Sequence, residues 1–199
     1  MLSNPRERCA IIAKRSAFPD LGRRAALREA VRFWIAVTCG LNLRSVRANA
    51  LEIGKPAPPL VLHTLDGKDI ATRDLIGQVV IVTFWATWCE PCREELPLFS
   101  SYAARHAQEG LRILGFSLDG PESLPKVRDV AAALTFPVGL LGSAYAGGYG
   151  RIWQLPVTFV IDQAGRLAHD GWGDAQQPWT NGQLQQVVDP LLAQKALKP

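Results

Sequence analysis

The chain has 199 residues, of which 48% are apolar and 20% charged, a balance that excludes wholesale disorder and a multi-span membrane protein. Its net charge of +4 is unevenly spread: residues 1–50 hold 10 Lys/Arg against 3 Asp/Glu, and the other 149 hold 12 against 15. The basic excess therefore belongs to the first fifty residues, and the remainder lacks the positive footprint of a nucleic-acid binder.

Residues 1–50 read as a targeting segment ahead of one domain over 51–199. Arg-rich sequence ends at Arg32, and eleven apolar or small residues, Phe33 to Leu43, precede Arg44. A helix crossing the hydrocarbon needs about 20, so the run fits the apolar part of a signal peptide better than a permanent span. Ala48-Asn49-Ala50 supplies a small-x-small cleavage pattern, which places the cut after Ala50. Arg23-Arg24-Ala25-Ala26-Leu27 also admits a twin-arginine route, residues 33–43 an uncleaved anchor, and Cys39 a lipid attachment that Val37-Thr38 suits poorly. Each export reading leads to a periplasm-like, oxidising compartment.

In the body, residues 51–58 form an extended lead-in, because residues before proline are pushed towards β or polyproline geometry. Leu60–Thr64 and Lys68–Ala71 flank the turn pair Asp66-Gly67 and predict a hairpin. Val79–Ala86 is an almost unbroken apolar run, as befits a strand buried on both faces. A helix follows to about Gln108, with Leu96, Phe99 and Ala103 on one face, Pro97 kinking it and Gly110 as the stop. Leu111–Leu118 is the next strand; Ser123 caps a helix whose apolar face is Val127, Val130, Ala131 and Leu134. Val138–Leu141 is a short extended piece, Ala144–Gly150 a glycine-rich loop or short helix. Val157–Ile161 and Arg166–Asp170 form a second hairpin. Thr180-x-x-Gln183 is a capping box for a last helix that Pro190 interrupts. Strands alternating with helices call for a parallel sheet, closed here by an antiparallel hairpin edge.

Trp88-Cys89-Glu90-Pro91-Cys92 carries the chemistry. A thiol that exchanges with disulfides must be ionised, reachable and followed closely by a resolving thiol. Cys89 follows a buried strand and opens a helix, where unpaired N–H groups and the helix dipole favour a thiolate. Pro91 fits the first turn, and Cys92 stands one turn on. A structural disulfide is the bland alternative. Zinc would need two further ligands, but the body has no other cysteine and His63, His106 and His169 are scattered. No metal is expected.

Phe84-Trp85-Ala86-Thr87-Trp88-Cys89-Glu90-Pro91-Cys92-Arg93-Glu94-Glu95-Leu96-Pro97 resembles the active-site segment of the TlpA/ResA-type thioredoxin-like proteins. Leu155-Pro156-Val157-Thr158-Phe159-Val160-Ile161-Asp162-Gln163-Ala164-Gly165 resembles that family's cis-proline strand and turn. The likeness spans about residues 52–195. It implies an α/β thioredoxin-like fold, a central mixed sheet with helices on both faces and an N-terminal β-hairpin extension. It also implies an exported monomeric thiol-disulfide oxidoreductase with no cofactor beyond the Cys89–Cys92 disulfide. Its clients would be protein disulfides, in cytochrome c maturation or copper-centre assembly, and a membrane dithiol donor would re-reduce it. Pro156 would be the cis-proline, with Leu155 presenting its backbone to an extended substrate and Trp88 at the rim.

Within that resemblance, Glu90 disfavours the Cys89 thiolate and makes the disulfide less oxidising, or simply complements the helix dipole. Pro91 shares this tuning segment, Glu95 matches an acidic family position, and Glu94 is a solvated neighbour. Thioredoxin itself carries a buried acid six residues before the first cysteine; here Thr83 stands there, leaving water or Glu90 to move the proton of Cys92. Trp85 packs, and Trp172 and Trp179 default to the core. Two other readings are a DsbA-type oxidant, which the Glu-Pro dipeptide and the lack of an inserted helical domain oppose, and a Cu(I) chaperone using both thiolates and His169. A peroxidase would place its cysteine after a Thr-Pro pair, which this chain lacks.

Overall fold

The computed structural model describes residues 51–196; the proposed leader, with its cleavage site, twin arginines and Cys39, lies outside the described residues. Seven strands are present: β1 (Val61–His63), β2 (Asp69–Ala71), β3 (Val79–Trp85), β4 (Leu111–Ser117), β5 (Val138–Leu140), β6 (Val157–Ile161) and β7 (Leu167–His169). Four α-helices join them: α1 (Glu90–His106), α2 (Leu124–Ala131), α3 (Asn181–Val187) and α4 (Asp189–Ala196). β1 and β2 pair antiparallel about the Asp66-Gly67 turn, where Gly67 takes a positive φ of 85°. The main sheet runs β5-β4-β3-β6-β7, with β3, β4 and β5 parallel and β6 and β7 antiparallel.

β3 is buried along its whole length, which is why its sequence does not alternate. Its residues nevertheless divide between two cores by the two-residue pleat. Val79, Ile81 and Trp85 join Leu96, Phe99 and Tyr102 of α1, Val127 of α2 and Leu184 of α3. Val80, Val82 and Phe84 join Leu60 and Leu62 of the hairpin region with Tyr149 and Phe159. Helical elements thus lie on both faces, but unequally. All four α-helices feed the first core, whereas hairpin residues and the short 3-10 turn Gly147–Tyr149 cover the second. The crossovers β3-α1-β4 and β4-α2-β5 run the same way along the sheet, so both helices fall on one face.

Several local expectations need adjusting. α1 ends at His106 and passes through a 3-10 turn before Gly110, which adopts the left-handed conformation. It continues through Pro97 as one helix. Ser123 makes no side-chain cap to α2: it ends a 3-10 turn begun by Pro121, and its helix-like backbone turns it away from cap geometry. The Thr180–Gln183 capping box is fully formed, and the chain breaks between α3 and α4 just before Pro190.

The hairpin docks on the main sheet through Gly139 of β5, bridged to Thr64. A Cβ there would lie 2.0 Å from the carbonyl oxygen of His63. Gly139→Ala is therefore expected to lower stability by about 1–3 kcal/mol by forcing the hairpin off the sheet, measured by urea denaturation alongside near-ultraviolet circular dichroism.

Candidate active site

The strand–loop–helix junction puts the cysteine pair at the carboxyl end of β3. Cys89 is the N-cap of α1, and its sulfur accepts the Cys92 N–H at 3.3 Å. The two are joined as a disulfide. Cys89 is 5% exposed and Cys92 not at all, so only the first sulfur's residue meets the surface. The exposed N–H groups of the helix terminus favour negative charge on that sulfur when the bond is reduced.

Trp88 projects into solvent at 70% exposure, forming a rim beside the pair. Pro91 lies in the first turn of α1. The Leu155–Pro156 peptide is cis. Leu155 is half-buried and packs against the core cluster that contains both cysteines, while Pro156 is buried. The sequence-predicted residues thus converge at one end of the sheet, with one exception. Glu90 points to solvent and pairs with Arg93 at 2.6 Å, an exposed contact of small energetic weight.

Glu95 is the acid that enters the interior. It sits three residues after Cys92 on the same helix face and is fully buried. One carboxylate oxygen accepts from the Thr83 hydroxyl at 3.2 Å and the other from the Trp179 N–H at 3.1 Å. Thr83 in turn accepts from Thr158 at 2.9 Å, its directly paired residue across β3 and β6. No acid stands at position 83; a carboxyl reaches the Thr83 hydroxyl from the helix instead of the strand. Burial pushes the Glu95 carboxyl up to about 7. The Trp179 N–H and the Thr83 hydroxyl oppose that rise, and the charge of Asp174 adds to it. A carboxyl that titrates near neutrality is able to exchange a proton with a thiol in the same pH range.

Trp179 is buried, stacks edge-on against Phe99 and His169, and anchors Glu95 through its backbone. Trp172 is half-buried against Phe159. His169 pairs with Asp174 at 3.2 Å. Among the described residues no three His, Cys, Asp or Glu side chains stand close enough to hold a metal ion. Sequence reasoning missed Thr158 and the Trp179 N–H. Alternation along β6 marks Thr158 as a polar residue in a buried strand, but only the register reveals its partner.

Raising the Glu95 carboxyl in the folded state means that the native protein binds more protons than the unfolded chain between pH 4.5 and 7. Stability is therefore expected to fall by about 3 kcal/mol as pH rises through that window and to level off above it. Glu95→Gln, which cannot ionise, should flatten this slope and exceed wild type in stability at pH 8, as measured by denaturation midpoints across pH.

The geometry agrees with what known proteins share with this chain. The AhpC/TSA family model matches residues 53–170. Thiol-disulfide oxidoreductase ResA of Bacillus thuringiensis (strain Al Hakam) is 32% identical over 139 residues, covering 69% of this chain and 80% of its own. The thioredoxin-like protein YneN of Bacillus subtilis (strain 168) is 31% identical over 118 residues, covering 58% and 68%. Among solved structures, a thiol:disulfide interchange protein of the thioredoxin family from Chlorobium tepidum TLS superposes with a TM-score of 0.58 at 27% identity, covering 72% of this chain and 99% of that one. With the cysteine pair at the helix mouth and this family match over most of the described chain, the protein belongs to the AhpC/TSA family as a thioredoxin-like thiol-disulfide oxidoreductase of the ResA type.

Proposed function

We propose that the protein reduces disulfides in client proteins outside the cytoplasm, after export directed by residues 1–50. The observation that carries this reading is the buried Glu95 carboxyl one turn beyond Cys92, at the end of the sheet that bears the cis Leu155–Pro156 bond. A reductant has to keep its resolving thiol protonated until the mixed disulfide forms and then release that proton. A carboxyl with nowhere to go but a hydroxyl chain and one N–H suits the second task.

The cycle begins with the Cys89 thiolate attacking a client disulfide. A Cys89–client bond forms, the client disulfide breaks, and its other sulfur leaves as a thiolate that takes up a proton from solvent. Cys92 then gives its proton to Glu95 and attacks the Sγ of Cys89, breaking the Cys89–client bond, so that the second client sulfur leaves as a thiolate, takes up a proton from solvent, and the Cys89–Cys92 disulfide remains. Two electrons have passed to the client. A membrane-embedded dithiol donor, itself oxidised to a disulfide, supplies the two electrons that re-reduce the Cys89–Cys92 pair. Leu155 offers its backbone to an extended client segment as an added strand, and Trp88 flanks the approach. Glu90 and Pro91 hold the intervening turn, where the Glu90 charge, paired with Arg93 and screened by solvent, bears only weakly on the Cys89 thiolate.

The family resemblance supports clients in cytochrome c maturation or copper-centre assembly, with the protein acting as a monomer and no cofactor beyond its own disulfide. No helix of the described residues is long and apolar enough to cross a membrane; attachment, if the leader is retained, falls to residues 33–43.

Cys89→Ser should abolish insulin reduction, whereas Cys92→Ser should lose turnover and accumulate a mixed disulfide through Cys89, visible on non-reducing gels and by mass spectrometry. Retained turnover in Cys89→Ser, or trapping through Cys92 in its place, would contradict the order of attack.

A further inference from the structure

Asp119, two residues beyond β4, is 5% exposed, yet nothing in the redox cycle above uses it. Its carboxylate grips the loop that leads into Cys89. One oxygen accepts the Thr87 hydroxyl at 2.6 Å, and the other accepts the Thr87 N–H at 2.8 Å and the Ser117 hydroxyl at 2.7 Å. Ser117 also accepts the Asp119 N–H at 3.1 Å, closing the turn at the strand end. Among the described residues, no lysine, arginine or histidine forms an ion pair with it. All three donors are neutral, so no cation accompanies the carboxylate in this buried network.

Such an arrangement is costly for a purely structural brace, because burying an ion needs compensation that neutral groups supply only in part. An asparagine could accept the Thr87 N–H and donate to a hydroxyl, reproducing the shape. What the acid adds is charge, held against the backbone and hydroxyl of Thr87, the residue two positions before the attacking cysteine. The other charges around the pair are placed differently. Glu90 pairs with Arg93 on the solvent side, Glu95 lies beyond Cys92 with Asp174 and His169 behind it, and Leu155 and Pro156 bring none.

We infer that Asp119 is a positioning residue for the redox reaction: it fixes the Thr87–Cys89 turn, and its carboxylate works against the Cys89 thiolate, biasing the pair towards the disulfide and hence towards giving electrons away. The direction follows from elementary electrostatics, since a fixed negative charge destabilises a nearby anion, and a less stable thiolate makes the dithiol the stronger reductant. This rests on Cys89 being the attacking thiol.

The test is the pH dependence of iodoacetamide alkylation in the reduced protein, with the modified residue identified by mass spectrometry. Asp119→Asn should move the Cys89 midpoint to lower pH by about one unit and shift the equilibrium with glutathione about tenfold towards the dithiol. Thr87→Val should move the midpoint the other way, because the carboxylate loses a donor that spreads its charge; Thr87→Ser, which keeps the hydroxyl, should restore the wild-type profile. A loop that was merely loosened would displace Asp119→Asn and Thr87→Val in the same direction. Shifts of one sign, or an Asp119→Asn profile that coincides with wild type, overturn the assignment. If Asp119→Asn does not fold, the Thr87 pair decides, and an unmoved Thr87→Val profile overturns it. Alkylation at Cys92 in place of Cys89 overturns it from the other end, by removing the thiol on which it rests.

Discussion

Every polar group that meets the Glu95 carboxyl is supplied by the protein, because the side chain is sealed from water. Two strands, one helix and the segment before α3 each contribute to holding it: Thr83 from β3, Thr158 from β6, the N–H of Trp179, and Glu95 itself from α1. The register of β3 against β6 is fixed wherever Thr83 must face Thr158. The docking of α1 is fixed wherever Cys92, Glu95, Leu96 and Phe99 must share its buried face. The constraint on one carboxyl therefore ties the helix that opens at Cys89 to the strand that begins after the cis Leu155–Pro156 bond.

The acids around the cysteine pair illustrate how environment, not residue type, sets a task. Glu90 and Glu95 are the same side chain on the same helix. Glu90 spends its charge on Arg93 in solvent, where water screens it. Glu95 is held near the protonation midpoint of neutral pH by burial. Asp119 is wired to the loop by three neutral donors. With Cys89 5% exposed and Cys92 not at all, the pair offers solvent only the edge of its first residue.

Much of this was legible in the residues alone, and for identifiable reasons. The β3 run, the Asp66-Gly67 turn and the Thr180–Gln183 capping box are local signals whose physics is complete within a few residues. Cys89, Cys92 and Leu155 meet in one core cluster, and the Leu155–Pro156 bond is cis, as the family resemblance implies. The choice between Glu90 and Glu95 was also available from helix phase: position 95 falls with Cys92, Leu96 and Phe99, and position 90 does not. Other features were not legible. Thr83 read as a missing acid because its hydroxyl's partners come from twelve and seventy-five residues away. Asp119 reaches Thr87 across thirty-two residues, and Ser123 lost its cap to a turn that Pro121 begins two residues earlier. Local pattern names the reactive sulfurs, but long-range pairing decides which groups govern their protons.

The reduction potential of the Cys89–Cys92 couple, measured by equilibration of the purified body with glutathione redox buffers, bears most directly on the central claim that this pair donates electrons. A value well below about −200 mV is what a client-reducing enzyme requires, and a value near about −120 mV, typical of a strong disulfide-forming oxidant, would contradict the account.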